Sequence, residues 1–125
     1  MTTVYPTVAE VIAIHDDQIA RFGGSGGVRD MGQLEAALFR PQTGYYPDLI
    51  AEAAALWESL SQNHAFIDGN KRTAFAVTFT FLAVNGLALN SDEEAVMDFL
   101  VPLYERSAVS RDALDSWLRK NTTAR

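Results

Sequence analysis

Apolar residues recur along most of the chain at helical rather than alternating spacing, which predicts a run of helices. The first spans Thr7 to Phe22, with Val8, Val11, Ile12, Ile19 and Phe22 on one stripe and Thr7 and Glu10 spaced as a capping box. Gly23-Gly24-Ser25-Gly26-Gly27 ends it in a flexible loop, either a plain connection or a flap over a ligand. A second, short helix runs from Asp30 to Phe39, with Asp30 and Gln33 as its capping pair, and Arg40-Pro41-Gln42 breaks it. After a loop carrying Tyr45 and Tyr46, Pro47 opens a third helix to about Gln62, with Ile50, Ala53, Ala54, Trp57 and Leu60 aligned. The fourth runs from Gly69 to about Asn85, apolar nearly all round, so other helices should surround it. Leu87-Ala88-Leu89 is a short apolar link. Ser91 and Glu94 then mark a fifth helix to about Arg106, with Pro102 as a kink or early end. Ser110 caps a sixth, striped by Leu114, Trp117 and Leu118, and Asn121 to Arg125 should fray. No strand signal rises above these helices. The expectation is an all-α, compact bundle of about six helices forming one domain over residues 1–125.

Composition narrows the possible functions. Cysteine is absent, so neither disulfides nor thiol chemistry operate. The start of the chain lacks the basic and apolar segments of a signal peptide, and the fourth helix is interrupted by threonines and short for a membrane span. A cytoplasmic protein without membrane contact is expected. A net charge of -6 argues against direct nucleic-acid binding and sets a background field that repels phosphates. A phosphate site in this chain must be built locally.

One stretch has the residues for that. His64-Ala65-Phe66-Ile67-Asp68-Gly69-Asn70-Lys71-Arg72 places a base, an acid, a glycine turn and two cations directly before the fourth helix. At a helix start the first N–H groups lack partners and the dipole is positive, which suits an anion. Gly69 permits close approach and a positive φ, Asn70 carries an amide donor, and Lys71 and Arg72 add charge. Asp68 offers the hard oxygens that Mg2+ takes beside phosphates, and His64 is the side chain suited to accept a proton near neutral pH. Taken singly these residues read more simply: a surface histidine, a tight turn, a solvated cation pair. Their crowding into nine residues favours base, metal and phosphate cradle. His15, inside the first helix, reads as structural or surface.

The stretch resembles the Fic/Doc superfamily motif His-x-Phe-x-Asp/Glu-Gly-Asn-x-Arg, with His64, Phe66, Asp68, Gly69, Asn70 and Arg72 in register. Nucleotidyl-transferring Fic enzymes have proline after the histidine, a second glycine before the arginine and a further arginine three residues on. Here those positions hold Ala65, Lys71 and Phe75, the pattern of death-on-curing (Doc) toxins. Ile14-His15-Asp16, Phe22-Gly23-Gly24 and Val28-Arg29-Asp30 are similar to Doc sequences as well, and so is Arg40-Pro41. Arg40 is therefore either near the active site or a helix-end cation complementing the dipole.

The resemblance implies a Fic-like bundle with a central buried helix after the catalytic loop. It implies a kinase using ATP and Mg2+ to phosphorylate a threonine of translation elongation factor Tu, hence a toxin of a toxin-antitoxin pair. His64 would be the general base, Asp68 would hold Mg2+ or orient the hydroxyl, and Phe66 would anchor the loop. Gly69, Asn70, Lys71 and Arg72 would hold the phosphates, Lys71 also taking part in catalysis by turning the nucleotide to present its γ-phosphoryl group. The implied partner is a small Phd-like antitoxin whose C-terminal segment lies in a groove. The Ser/Thr-x-x-x-Glu-Gly/Asn motif of self-inhibited Fic proteins is absent from the sequence. Two other readings are Fic-type transfer of AMP, and a degenerate module that only binds a partner or nucleotide.

Overall fold

The structure is a computed structural model describing residues 2–125. Six helices follow in order: α1 (Val8–Phe22), α2 (Met31–Phe39), α3 (Leu49–Gln62), α4 (Asn70–Val84), α5 (Glu93–Glu105) and α6 (Arg111–Asn121). A 3-10 turn at Arg40–Gln42 follows α2. Two short strands, β1 (Leu87–Leu89) and β2 (Thr122–Ala124), pair antiparallel with Leu87 opposite Ala124 and Leu89 opposite Thr122. The C-terminal residues expected to fray are thus tied to the link after α4. Arg125 N–H adds a bond to the Gly86 carbonyl at 2.9 Å.

Five of the six helices start on a side-chain cap. Thr7 accepts from Glu10 N–H while Glu10 reaches back, as the sequence predicts. Asp30 and Ser110 cap α2 and α6. Two starts shift by a residue or two. α3 is capped by Asp48 rather than begun by Pro47, and α5 by Asp92 rather than Ser91. In both places the carboxylate sits where its oxygen meets the third N–H of the helix, at 2.9 Å to Ala51 and 2.9 Å to Ala95. Ser91 instead donates to Asn121 Oδ1 at 2.6 Å, which fastens the two ends of the sheet region together.

The core lies between α3 and α4, with α6 and α1 closing it from either side. α3 buries nine of its residues, because alanines at 51, 53, 54 and 55 let neighbouring backbones come close around Trp57 and Leu56. Trp57 meets Phe75, Phe79 and Trp117 edge-on, with centroids 5.9, 5.5 and 6.2 Å away. α4 is less enclosed than its composition suggests. It buries Thr73, Ala74, Val77, Thr78, Phe81 and Leu82 but leaves Phe75, Ala76 and Phe79 half-buried and Thr80 and Val84 exposed. Thr78 tolerates burial because its hydroxyl donates to the Ala74 carbonyl at 2.7 Å. Part of the apolar surface of α4 faces a groove shared with α5. No helix among the described residues is long and apolar enough to cross a membrane.

Candidate active site

The segment from His64 to Arg72 joins the end of α3 to the start of α4, the two helices that form the core. His64 has φ of 51°, a left-handed conformation that costs a non-glycine residue on the order of 1–3 kcal/mol. The surroundings fix it there. Arg29 Nε donates to the His64 carbonyl at 2.6 Å, and the N–H groups of Arg29 and Asp30 both donate to the Ala65 carbonyl, at 2.7 and 3.0 Å. Val28 forms an isolated antiparallel bridge with Phe66. The chain just after the glycine loop is therefore an extended brace for the site, and the His64 side chain projects into solvent.

Phe66 is buried at 2% exposure, as an anchor should be, and stacks nearly parallel on His15 with centroids 3.9 Å apart. Asn70 closes the turn from the other side. Its Oδ1 accepts from Phe66 N–H at 3.0 Å and its Nδ2 donates to the Phe66 carbonyl at 2.9 Å. The amide thus holds the loop with its Oδ1 and one Nδ2–H, which leaves its second Nδ2–H as a donor. Asn70 also carries a main-chain N–H.

That N–H belongs to the one helix start of the six without a side-chain cap. Gly69 stands at the N-cap with φ of 74°, left-handed, and no side chain bonds the first turn. The dipole and the unpartnered N–H groups there are available to an anion. Neither Lys71 nor Arg72 is paired with a carboxylate among the described residues. Lys71 Nζ stands 4.6 Å over the Tyr104 ring from α5, at the wall of the groove. Arg72 donates to the Gly23 carbonyl at 3.0 Å and lies over Phe22.

Asp68 is exposed and bound from both sides. Its Oδ2 accepts from Ser25 N–H at 3.2 Å and its Oδ1 from Gly69 N–H at 2.8 Å. The Ser25 and Gly69 N–H groups, with Arg72 and His15 nearby, hold its carboxyl below the usual carboxylate range. Asp68 is therefore ionised throughout the neutral range. No group of three or more His, Cys, Asp or Glu gathers among the described residues, so a metal held by protein alone does not fit. A single exposed carboxylate beside an anion seat does fit Mg2+ carried by phosphates, which takes one or two protein ligands.

The glycine loop bears directly on these groups. A Cβ added at Gly24, whose φ is 114°, would come within 2.6 Å of Asp68 Oδ2. Gly24→Ala is therefore expected to lift the loop and break the Ser25 bond. The Asp68 midpoint, followed by NMR, should then rise towards the ordinary carboxylate value. A depressed carboxyl adds stability above its unfolded pKa and loses it as pH falls through its folded pKa. The variant should lose that increment above about pH 4. An unmoved midpoint would mean that the loop does not set it.

Arg40 is not part of the site. It donates to Tyr46 Oη, Glu58 and Ser59 at 2.7, 2.7 and 2.8 Å, tying the 3-10 turn to α3. Tyr46 is therefore half-buried, while Tyr45 is exposed. Arg29, and the partner of a His15 that reads as structural or surface, are not picked out by spacing. Arg29 and His15 each act through a main-chain carbonyl far along the chain, which leaves no local signal.

The helical bundle thus presents a histidine, an aspartate and an uncapped helix start with two cations on one turn, an arrangement that suits an anion. The comparisons specify it further. The Fic/DOC family model matches residues 5–82, which include α1 to α3, the turn and most of α4. The chain belongs to the Fic/Doc family. It is 55% identical over 76 residues to Toxin Doc of Mycolicibacterium smegmatis, covering 57% of this chain and 58% of that protein. It is 36% identical over 89 residues to Protein kinase doc of Escherichia phage P1, covering 68% of this chain and 71% of that one. The match therefore spans somewhat over half of the first relative and about seven-tenths of the second.

Proposed function

We propose that this protein is a Doc-type toxin kinase that moves the γ-phosphoryl group of ATP to a threonine or serine hydroxyl of a translation elongation factor, arresting translation in the cytoplasm. The observation that carries the reading is the uncapped start of α4 with Lys71 and Arg72 free of carboxylate partners, beside an exposed His64. It is supported by the relatives named toxin and protein kinase. Phosphoryl transfer asks little covalent chemistry of the protein; it asks for positioning and charge neutralisation. His64 takes the proton of the target hydroxyl as its oxygen attacks the γ-phosphorus. The new O–P bond forms as the bond to the β-γ bridging oxygen breaks, and ADP departs. The N–H groups of the α4 start, with Lys71 and Arg72, hold the phosphates and the charge that builds on the leaving oxygen. Asp68 would hold the Mg2+ that accompanies ATP, and the ion would supply further neutralisation of phosphate charge.

Two features favour γ-transfer over transfer of AMP. Lys71 fills space that a glycine leaves open and places its ammonium at the groove wall. Phe75, where a nucleotidyl-transferring Fic enzyme has an arginine, packs against Trp57 and Phe79 instead. Lys71→Gly should therefore lose γ-specific transfer and admit the nucleotide in either direction, read with ATP labelled on the α or the γ phosphate. Retention of pure γ-transfer at full rate would remove Lys71 from this role.

The groove between α4 and α5 suits the antitoxin. It encloses about 710 Å³ and is lined by Phe22, Phe75, Val96, Met97 and Leu100, with Lys71, Arg72 and Glu93 at its polar edge. An amphipathic C-terminal segment of a Phd-like partner laid there would cover the apolar face that α4 leaves open and block the anion seat.

A further inference from the structure

The geometry points to His15 as a positioning residue for this site: from inside α1 it sets the Asp68–Gly69 peptide, and through it the anion-binding start of α4. The inference rests on the kinase reading for its effect on turnover, but its structural part does not.

His15 is 1% exposed, an unusual place for an imidazole. Its Nε2 lies 2.7 Å from the Asp68 carbonyl oxygen. A carbonyl oxygen only accepts, so Nε2 carries the proton and donates. The other ring nitrogen has Asp16 Oδ1 at 3.8 Å, beyond hydrogen-bond distance. The same ring lies flat on Phe66, 3.9 Å away with 6° between the planes. One side chain thus grips the turn at two residues, Phe66 by its face and Asp68 by its edge. No aliphatic residue does both.

The bond matters because of the peptide it holds. The Asp68 carbonyl and the Gly69 N–H belong to one plane, so pinning the oxygen fixes the direction of the N–H, which donates to Asp68 Oδ1 at 2.8 Å. Gly69 is the left-handed residue that turns the chain into α4. Glycine is the residue with the greatest freedom to leave such a conformation. A Cβ at Gly69 would stand 3.1 Å from Ile19 Cδ1 and 3.8 Å from His15 Nε2, so α1 packs directly against this residue. With the carbonyl released, the 68–69 peptide can rotate. The Asp68 carboxylate and the first N–H groups of α4 would then lose their common aim.

Two variants separate the edge of the ring from its face. His15→Phe keeps a flat ring on Phe66 and removes the donor. His15→Gln places an amide donor near the position of Nε2 and removes the ring. The first readout is NMR relaxation of the Gly69 and Asn70 amides, which needs no reaction. They should be ordered in the wild type and in His15→Gln, and broadened by exchange in His15→Phe, while the helical circular dichroism of all three proteins stays the same. The second readout is γ-transfer, where His15→Phe should lower kcat at least tenfold and raise the KM for ATP, and His15→Gln should recover most of kcat. Unbroadened amides in His15→Phe, or equal broadening in both variants, would overturn the positioning role. A wild-type protein that transfers no γ-phosphate, but whose amides respond as stated, would overturn the kinase reading and leave the positioning intact.

Discussion

His64→Ala is expected to lower γ-phosphoryl transfer by roughly 10²- to 10⁴-fold, the usual contribution of a positioned general base. Binding of ATP should change little, because the proposed phosphate seat is the start of α4 and not the imidazole. The side chain is exposed, so little packing is lost with it. The backbone needs separate attention, since residue 64 sits at φ of 51°. His64→Asn provides the control, as asparagine visits the left-handed region more readily than most residues. Equal loss of transfer in both variants, with helical content and melting close to the wild type, would place the defect in the chemistry. Recovery of activity in the asparagine variant would make the backbone shape of the loop, and not a base, the important property of this position.

The largest effect on stability is expected at Trp57. Its side chain is fully buried and meets three aromatic rings from α4 and α6. Truncating a core tryptophan to alanine costs about 3–5 kcal/mol. A domain of this size has on the order of 5–15 kcal/mol in total. Trp57→Ala should therefore remove roughly a fifth of the stability at the least, and sharply lower the denaturation midpoint in urea. Trp57→Phe should cost much less. Trp57 Nε1 has no hydrogen-bond partner in the structure, so the phenylalanine variant removes an unsatisfied buried donor along with part of the ring. If the two variants were equally destabilised, the aromatic cluster would not be what holds α3, α4 and α6 together.

Features that depend on neighbours in sequence were legible before the structure. The capping box of Thr7 and Glu10 and the stop at Asn85-Gly86 each involve residues within one turn. Asn85 indeed closes α4, donating to the Phe81 carbonyl at 2.8 Å. Where two capping residues stand side by side, as Ser91 and Asp92 do, composition alone does not decide between them, and packing of the helix does. Contacts between distant segments left no signal. The bond from His15 to Asp68 spans 53 positions, and β1 finds β2 only after α5 and α6 have brought the C-terminus back. The loop-holding use of Asn70 left no signal for a related reason. Its residue type suits a phosphate as well as a turn, and only the placement of Phe66 shows that it holds the turn. The apolar composition of α4 was read as burial, whereas part of it lines the groove.

The architecture keeps two adjacent cations of a strongly acidic chain away from carboxylates. Lys71 and Arg72 are kept from carboxylates, one by an aromatic face and the other by a main-chain carbonyl of the glycine loop. Four of the other eight cations, Arg21, Arg40, Arg111 and Arg119, are instead paired with carboxylates among the described residues. Two adjacent cations without carboxylate partners thus stand at the start of α4, where the helix dipole has the same sign.

The central claim is most directly tested by incubating the purified protein with Mg2+, a bacterial lysate and ATP labelled on either the α or the γ phosphate. A protein band near the mass of the elongation factor should take label from γ alone and disappear in the His64→Ala variant. Label arriving from the α phosphate would contradict the claim in favour of nucleotidyl transfer, and label from neither would contradict catalysis by this turn.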